Sequence, residues 1–267
     1  MEVAVKVLRR SMLEMDESVV AEFEREIGFM QRTRHTNLVR FFGAGRQDDG
    51  TPFLVEEVMS GGTLKGLLRG GRQHGMQRPL DWLTKTSLAA DVARGMAYMH
   101  GLGHIHRDLK SANVLVTGTT QAKVADFGSV GLLLTERQRL RPAFQASGSS
   151  LADLGQTQGV GTPLYMSLEM LRHAGYDEST DVWSFGVLLW EIAAQASPDL
   201  LEQQGYTIGP VYSALVHCLE DGHRLQTKAE WPDAWRSLMA RCWHQEPGSR
   251  PAFAAIVQAL DSSSPLA

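Results

Sequence analysis

The first residues of the chain alternate between two faces. Val3, Val5 and Val7 are separated by single residues, one of which is Lys6. A period of two with β-branched residues on one face predicts a strand. Lys6 is either a strand lysine with its head in solvent or a lysine directed at an anionic ligand.

A helical spacing of apolar residues follows from about Asp16 to Arg32, and Asp16 can cap the predicted helix. Glu26 borders the apolar stripe of this helix. A carboxylate in that position is costly unless it is paired, and Lys6 on the preceding strand is a candidate partner.

Two further strands are predicted from Leu38 to Gly45 and from Pro52 to Val58. The run Ser60-Gly61-Gly62 interrupts this pattern, and helical spacing prevails after it. We therefore place a lobe boundary here. Residues 1–59 would form a small partial lobe and a hinge, and residues 60–267 a larger lobe.

The second part of the chain is predicted to be mainly helical. Its two short apolar runs, Val114 to Val116 and Ala122 to Ala125, predict a hairpin that would bring Asn113 and Asp126 together. The polar stretch Ser129 to Gly161 predicts a mobile segment. Strands and one helix followed by a larger helical part indicate an α+β protein of two lobes. Helices are expected at Thr63 to Arg69, Asp81 to Met99, Ser179 to Ala194, Val211 to Leu219, Trp235 to Trp243 and Ala252 to Leu260.

Composition narrows the class of protein without naming a function. The 267 residues are 43% hydrophobic and 21% charged, with a net charge of −4, as in ordinary globular proteins. A nucleic-acid binder would usually carry a basic excess, so none is expected as a partner. Two cysteines, Cys218 and Cys242, are too few for a disulfide framework. We expect no signal peptide and no membrane segment within the chain, and a cytoplasmic location, although an upstream membrane span in a longer parent protein is compatible with the sequence.

The candidate chemistry is concentrated between His106 and Asn113. Asp108 is suited to accept a proton from an alcohol, and Lys110 to neutralise charge on a phosphoryl group. Asn113 and Asp126 offer the oxygen ligands that magnesium prefers. This combination of residues predicts phosphoryl transfer.

These residues and their order resemble the protein kinase domain, and within it the tyrosine-kinase-like group of Ser/Thr kinases. The resemblance extends from Val3 to about Leu260. It is carried by the lysine strand Val3 to Lys6, the helix glutamate Glu26, the hinge Val55 to Met59, the catalytic loop His106 to Asn113, Asp126-Phe127-Gly128, Gly161 to Met166, Asp181 to Gly186 and Arg250-Pro251.

The resemblance implies a bilobal fold with a small β-rich lobe that includes one helix and a larger α-helical lobe. It also implies ATP and Mg²⁺ as cofactors and transfer of the γ-phosphate to Ser or Thr hydroxyls of protein substrates. The catalytic residues would be Asp108, Lys110 and Asn113, and the metal ligands Asn113 and Asp126. The nucleotide would be bound by Lys6, Glu26, Glu57, Met59, Leu115 and Asp126.

Three further roles follow from the same resemblance. Asp181 would brace the catalytic loop, and Arg250 would pair with Glu169. Arg107 would bind a phosphate on the activation segment, for which Thr157, Thr162 and the serines around Ser149 are candidates, although each of these hydroxyls is also compatible with an ordinary solvated loop residue.

The sequence also departs from the family pattern. It begins at the lysine strand, without the two preceding strands and their Gly-rich phosphate loop, which fits either a fragment of a longer protein or a pseudokinase serving as an interaction module. A small-molecule kinase of similar fold is a third alternative. Ser167-Leu168-Glu169 stands where Ala-Pro-Glu is usual. Glu56 occupies the hinge position that controls the rear pocket, where a carboxylate would either repel the nucleotide or pair with a cation.

Overall fold

Three antiparallel strands and one helix form the small lobe. The structure is a computed structural model. It describes residues 2–8, 17–70, 79–118, 121–132, 163–175, 177–206 and 210–262. Strands β1 (Val3–Val7), β2 (Phe41–Arg46) and β3 (Pro52–Glu57) lie in the order β1-β3-β2. Helix α1 spans Glu17–Arg32. The predicted cap at Asp16 lies outside the described residues.

The register of the small sheet determines which side chains share its inner face. Lys6 pairs with Leu54, and Ala4 pairs with Glu56. Paired residues of an antiparallel sheet point to the same face. Leu54 is fully buried on that face, in a cluster with Leu8 and the α1 residue Phe23. The sheet therefore packs against α1 through the face that carries Lys6.

The predicted start of the second strand at Leu38 is wrong, because β2 begins at Phe41. The preceding segment pairs with a strand of the larger lobe. The amide of Val39 donates to the carbonyl of Val124, and the amide of Val124 donates to the carbonyl of Asn37, each at 2.9 Å. The apolar residues before β2 therefore pair with β6 and not with the small sheet. The spacing of apolar residues cannot show which of two sheets a segment joins.

The larger lobe contains most of the helices. Its strands are β4 (His104–Ile105), β5 (Val114–Val116), β6 (Ala122–Val124) and β7 (Gly131–Leu132). Its helices are α2 (Leu64–Leu68), α3 (Trp82–Gly101), α4 (Leu168–Leu171), α5 (Ser179–Ala194), α6 (Leu200–Gln203), α7 (Val211–Glu220), α8 (Asp233–Cys242) and α9 (Phe253–Ser262).

The core of this lobe is built on α3 and α5. The apolar stripe of α3 is completely buried, as its spacing predicts, and Asp81 caps the helix by accepting a 2.7 Å hydrogen bond from the Thr84 amide. Helix α5 crosses α8 closely at Gly186, where an added Cβ would lie 3.0 Å from the Cys242 Cβ. In the described part of the chain, no helix has the length and apolar character needed to cross a bilayer.

The beginning of the predicted mobile segment is ordered. Gly131 and Leu132 form β7, which pairs with β4, so that part of the prediction is wrong. The short strand was missed because two residues carry no detectable periodicity. The rest of that segment, including Ser149 and Thr157, lies outside the described residues, as do Thr162 and residues 71–78.

Replacing Leu88, which is fully buried on α3, by alanine should lower the free energy of unfolding by about 2–5 kcal/mol, because it leaves a cavity in the core. Urea unfolding measures the effect. Leu83→Ala is a matched control on the same helix, since Leu83 is 47% exposed, and it should change stability by no more than about 0.5 kcal/mol. Equal effects of the two substitutions would contradict this account of the core.

Candidate active site

A buried carboxylate fixes the loop between β4 and β5. The amides of His106 and Arg107 donate to the two oxygens of Asp181 on α5, each at 2.8 Å. Arg107 adopts φ of 67°, a left-handed conformation that a non-glycine residue holds only when its surroundings enforce it. The predicted bracing of the loop by Asp181 is confirmed.

His100, at the end of α3, is a third donor that the sequence did not reveal. Its Nε2 lies 2.8 Å from Oδ2 of Asp181, and its ring packs edge-on against Phe253. Burial alone would raise the pKa of Asp181, but hydrogen bonds from His100 and His106 outweigh it and hold that pKa below its usual value. A histidine at a helix end gives no signal of its own, because its partner is 81 residues away.

The three predicted catalytic residues are in contact. The Lys110 ammonium lies 2.9 and 2.7 Å from the two carboxylate oxygens of Asp108. The Asn113 amide nitrogen donates to the backbone carbonyl of Asp108 and to its Oδ2, both at 2.8 Å. The Asp108 side chain remains 21% exposed, so a substrate hydroxyl can approach it. Because the Asn113 nitrogen makes both of these bonds, the atom that remains to act as the predicted metal ligand is its amide oxygen.

Lys6 joins both lobes. Its ammonium lies 2.9 Å from each oxygen of Glu26 on α1 and 3.1 Å from Oδ1 of Asp126, which follows β6. The predicted pairing of Lys6 with Glu26 is confirmed. Burial disfavours the charged lysine, but Asp126 and Glu26 outweigh it and raise its pKa. Glu26 itself is almost completely buried.

The β5–β6 hairpin brings the two predicted metal ligands to the same end. The amide of Ala125 donates to the carbonyl of Asn113 at 2.9 Å. Asp126 has φ of 62°, and its side chain is 49% exposed. Burial alone would raise the pKa of Asp126, but the nearby cations, Lys6 first among them, outweigh it and lower that pKa, so the carboxylate stays ionised. Asn113, by contrast, is buried. An exposed carboxylate beside a buried amide oxygen fits Mg²⁺, which usually takes few protein ligands and completes its shell with water and phosphates.

The side chain of Glu57, a predicted nucleotide contact in the hinge, is already bonded to other residues. The Glu57 carboxylate turns to the hairpin, where it accepts bonds of 2.7 and 2.8 Å from Lys123 and one of 2.7 Å from the Arg40 amide. The Glu57 carboxylate is therefore not available to a nucleotide, and the Glu57 amide is also engaged, since it donates to the Arg40 carbonyl at 3.0 Å. Met59 and Leu115 are half-buried beside it, with Leu115 bridged to Thr63.

Gly161 to Glu169, the stretch that resembles the end of a kinase activation segment, is tied to the larger lobe through its described residues from Pro163 onwards. Arg250 donates to both oxygens of Glu169, at 2.6 and 3.2 Å, as predicted. Ser167, one of the departures from the family pattern, forms a 2.7 Å hydrogen bond with the Thr180 hydroxyl of α5. This contact fastens the segment where the usual Ala-Pro pair is absent.

A second buried carboxylate on α5 was also missed. Glu191 accepts a hydrogen bond from the Tyr165 hydroxyl through Oε2. Its Oε1 forms an ion pair with the Arg69 guanidinium, at 3.2 Å from Nη2. Burial raises the pKa of Glu191, although Tyr165 and Arg69 oppose this effect. Three chain segments that are distant in sequence meet at this carboxylate, which explains why no local pattern announced it.

Two lobes, a lysine–glutamate pair between β1 and α1, and a braced loop facing an Asp-Phe-Gly turn define the protein kinase fold. The chain belongs to the family described as protein tyrosine and serine/threonine kinase, whose sequence profile matches residues 1–260.

Proteins of Dictyostelium discoideum and Arabidopsis thaliana are similar to this chain over most of its length. A probable LIM domain-containing serine/threonine-protein kinase of Dictyostelium discoideum is 36% identical over 245 residues, which are 90% of this chain and 33% of that protein. Serine/threonine-protein kinase CTR1 of Arabidopsis thaliana is 35% identical over 264 residues, 97% of this chain and 28% of CTR1. Serine/threonine/tyrosine-protein kinase HT1 of the same plant is 33% identical over 240 residues, 90% of this chain and 54% of HT1. The chain thus spans about half or less of the length of these relatives.

Replacing Asp181 by asparagine should lower the free energy of unfolding by about 1.5–3 kcal/mol near neutral pH, because charge-assisted hydrogen bonds are lost. Since its folded-state pKa lies below the unfolded value, ionised Asp181 contributes this stability above the unfolded pKa and loses it as the pH falls through the folded one. Urea unfolding at about pH 7 and about pH 3 should therefore give a smaller difference in acid. Asp233→Asn, at a 91% exposed side chain, is the control. A difference that does not shrink in acid would contradict the assignment.

Proposed function

We propose that the chain is an ATP-dependent protein kinase that phosphorylates Ser and Thr hydroxyls. The observation that carries the proposal is the contact of Lys6 with both Glu26 and Asp126. It places a phosphate-binding cation next to a carboxylate suited to a metal. Asp108, with Lys110 and Asn113 in contact, supplies the remaining groups that phosphoryl transfer needs.

Each residue has a role in one in-line displacement. Lys6 would hold the α- and β-phosphates of ATP, and Lys110 would leave Asp108 to neutralise charge on the γ-phosphate. Asp108 orients the substrate hydroxyl and accepts its proton while the hydroxyl oxygen bonds to the γ-phosphorus. The bond from that phosphorus to the β-phosphate bridging oxygen breaks, and ADP leaves. Mg²⁺, held by Asn113 and Asp126, would neutralise phosphate charge.

The hinge would receive the adenine. Its backbone at Glu57 and Met59 and the half-buried Leu115 are the remaining predicted nucleotide contacts. The ordered hinge supports this role, because the Gly61 amide donates to Val116 at 2.9 Å and the Val116 amide donates to Gly62 at 2.8 Å.

We infer Ser/Thr substrates from Lys110, two residues after Asp108, together with the serine/threonine-protein kinase names of the relatives. The substrates would be proteins. The unpaired Cys218 and Cys242 also support a reducing compartment, and we place the protein in the cytoplasm.

Asp108→Asn should reduce phosphate transfer to a protein substrate by about 100-fold or more, since the proton acceptor is lost. It should leave Mg²⁺–ADP binding intact. Lys6→Met should instead weaken nucleotide binding, because it removes the phosphate-binding cation. Transfer of radiolabelled γ-phosphate and isothermal titration with Mg²⁺–ADP separate the two effects, with Asp233→Asn as the control. Undiminished transfer by Asp108→Asn would refute the proposed role of this residue.

Phosphoamino-acid analysis of a mixed protein substrate such as myelin basic protein should yield phosphoserine and phosphothreonine. The label should disappear with Asp108→Asn, which excludes a contaminating kinase. Phosphotyrosine as the main product would overturn the proposed Ser/Thr preference while leaving the phosphotransferase proposal in place.

A further inference from the structure

Glu56 lies on the inner face of the small sheet, beside the lysine that would bind phosphates. It pairs with Ala4, and Lys6 pairs with Leu54, so Glu56 and Lys6 are diagonal neighbours on one face. Such neighbours are about 7–8 Å apart, within reach of long side chains. Glu56 is half-buried there.

Within the described ranges, no side-chain ion pair or hydrogen bond involves Glu56. Lys6, the cation that faces it from β1, is already bonded to Glu26 and Asp126. The face therefore presents three carboxylates around one ammonium group. When all are ionised, these four groups carry a net charge of −2, from one positive and three negative charges.

The surroundings of Glu56 make its charge easy to remove. Burial raises the pKa of Glu56 to about 7, with Lys6 opposing this shift and the carboxylates of Glu26, Asp126 and Glu57 adding to it. Both charge states are consequently accessible near neutral pH. An ionised Glu56 adds a negative charge at the position where the phosphates of a nucleotide must approach Lys6.

We propose that Glu56 is a specificity-determining residue that weakens the binding of phosphate-bearing nucleotides when it is ionised, because its carboxylate competes with their phosphates for Lys6. Loss of that charge, by protonation or by substitution, tightens binding. The proposal rests on the proposed function, since it takes the cleft beside Lys6 as the nucleotide site. It also chooses between the two sequence-based alternatives for Glu56, repulsion of nucleotide and pairing with a cation.

The decisive comparison is between Glu56→Gln, which removes the charge at nearly constant shape, and Glu56→Asp, which keeps it. Isothermal titration with Mg²⁺–ADP at about pH 8.5 should give a dissociation constant about tenfold lower for the Gln variant than for the wild type, the factor that corresponds to one pKa unit of coupling. The Asp variant should remain within about threefold of the wild type. Near pH 6 the wild type and the Gln variant should converge, because Glu56 is then protonated.

Adenosine is the control ligand, because it has the base and sugar but no phosphate. Its affinity should not differ between wild type and Glu56→Gln by more than about twofold, since the proposed competition acts on phosphates alone. Glu56→Thr is a second neutral variant and carries the same expectation, so that the comparison holds if the Gln protein folds poorly.

Equal Mg²⁺–ADP affinities of the wild type and both neutral variants at about pH 8.5 would overturn the role of Glu56 and leave the proposed kinase function standing. An equal gain for adenosine and ADP would also overturn it, because the effect would then come from shape and not from charge. Absence of binding of either ligand to every variant would instead refute the nucleotide site, and with it both proposals.

Discussion

The site depends on one interaction: the buried carboxylate of Asp181 accepts hydrogen bonds from the backbone of the catalytic loop. An ionised carboxylate in a protein interior is tolerated only when its oxygens are satisfied. Here the donors are the amides of His106 and Arg107, with the ring of His100. The need to satisfy one charge in the core thereby fixes the loop that begins at His106. Asp108 comes next along this loop, so its position relative to α5 follows from the same constraint.

Hydrogen bonds connect this loop to the β5–β6 hairpin, and further contacts connect the hairpin to the small lobe. Ala125 joins the loop through its amide, bonded to the Asn113 carbonyl, and through its own carbonyl, 3.1 Å from His106 Nε2. Asp126 follows directly and meets Lys6. The segment between α1 and β2 is also bonded to the hairpin at Val124, and the chain that leaves the hinge is bonded to it at Val116. The hairpin therefore holds the small lobe through the segment before β2 and through the chain that leaves the hinge, and Lys6 adds a further contact at Asp126.

The Lys6–Glu26 pair and the β5–β6 hairpin could be predicted from sequence, because the residues that reveal them lie close together in the chain or carry a visible cost of burial. A carboxylate beside an apolar stripe requires a partner, and this argument made Lys6 a candidate partner of Glu26, as the family resemblance also did. Short apolar runs likewise predicted the hairpin. The family resemblance supplied Asp181 and Arg250. What remained hidden depends on side-chain direction and distant pairing: the contact of His100 with Asp181, the turn of Glu57 towards Lys123, and the joining of the Leu38 segment to β6. Periodicity reports burial, but it does not identify the partner of a buried polar group.

Helix α5 carries a buried carboxylate near each end, Asp181 and Glu191. The two differ in the groups that offset the cost of burying their negative charge. Asp181 lies in the first turn, where the helix dipole favours a negative charge, and it accepts backbone donors. Glu191 lies about three turns further on, near the end where the dipole opposes negative charge. It therefore depends on side chains, the Tyr165 hydroxyl and the Arg69 guanidinium. Arg69 is 37% exposed, so its charge is partly screened, and the raised pKa of Glu191 is consistent with incomplete compensation. The contact of Asp181 with the catalytic loop is accordingly the better compensated of the two carboxylate contacts, and the contact of Glu191 with Tyr165 depends more on the side chains around it.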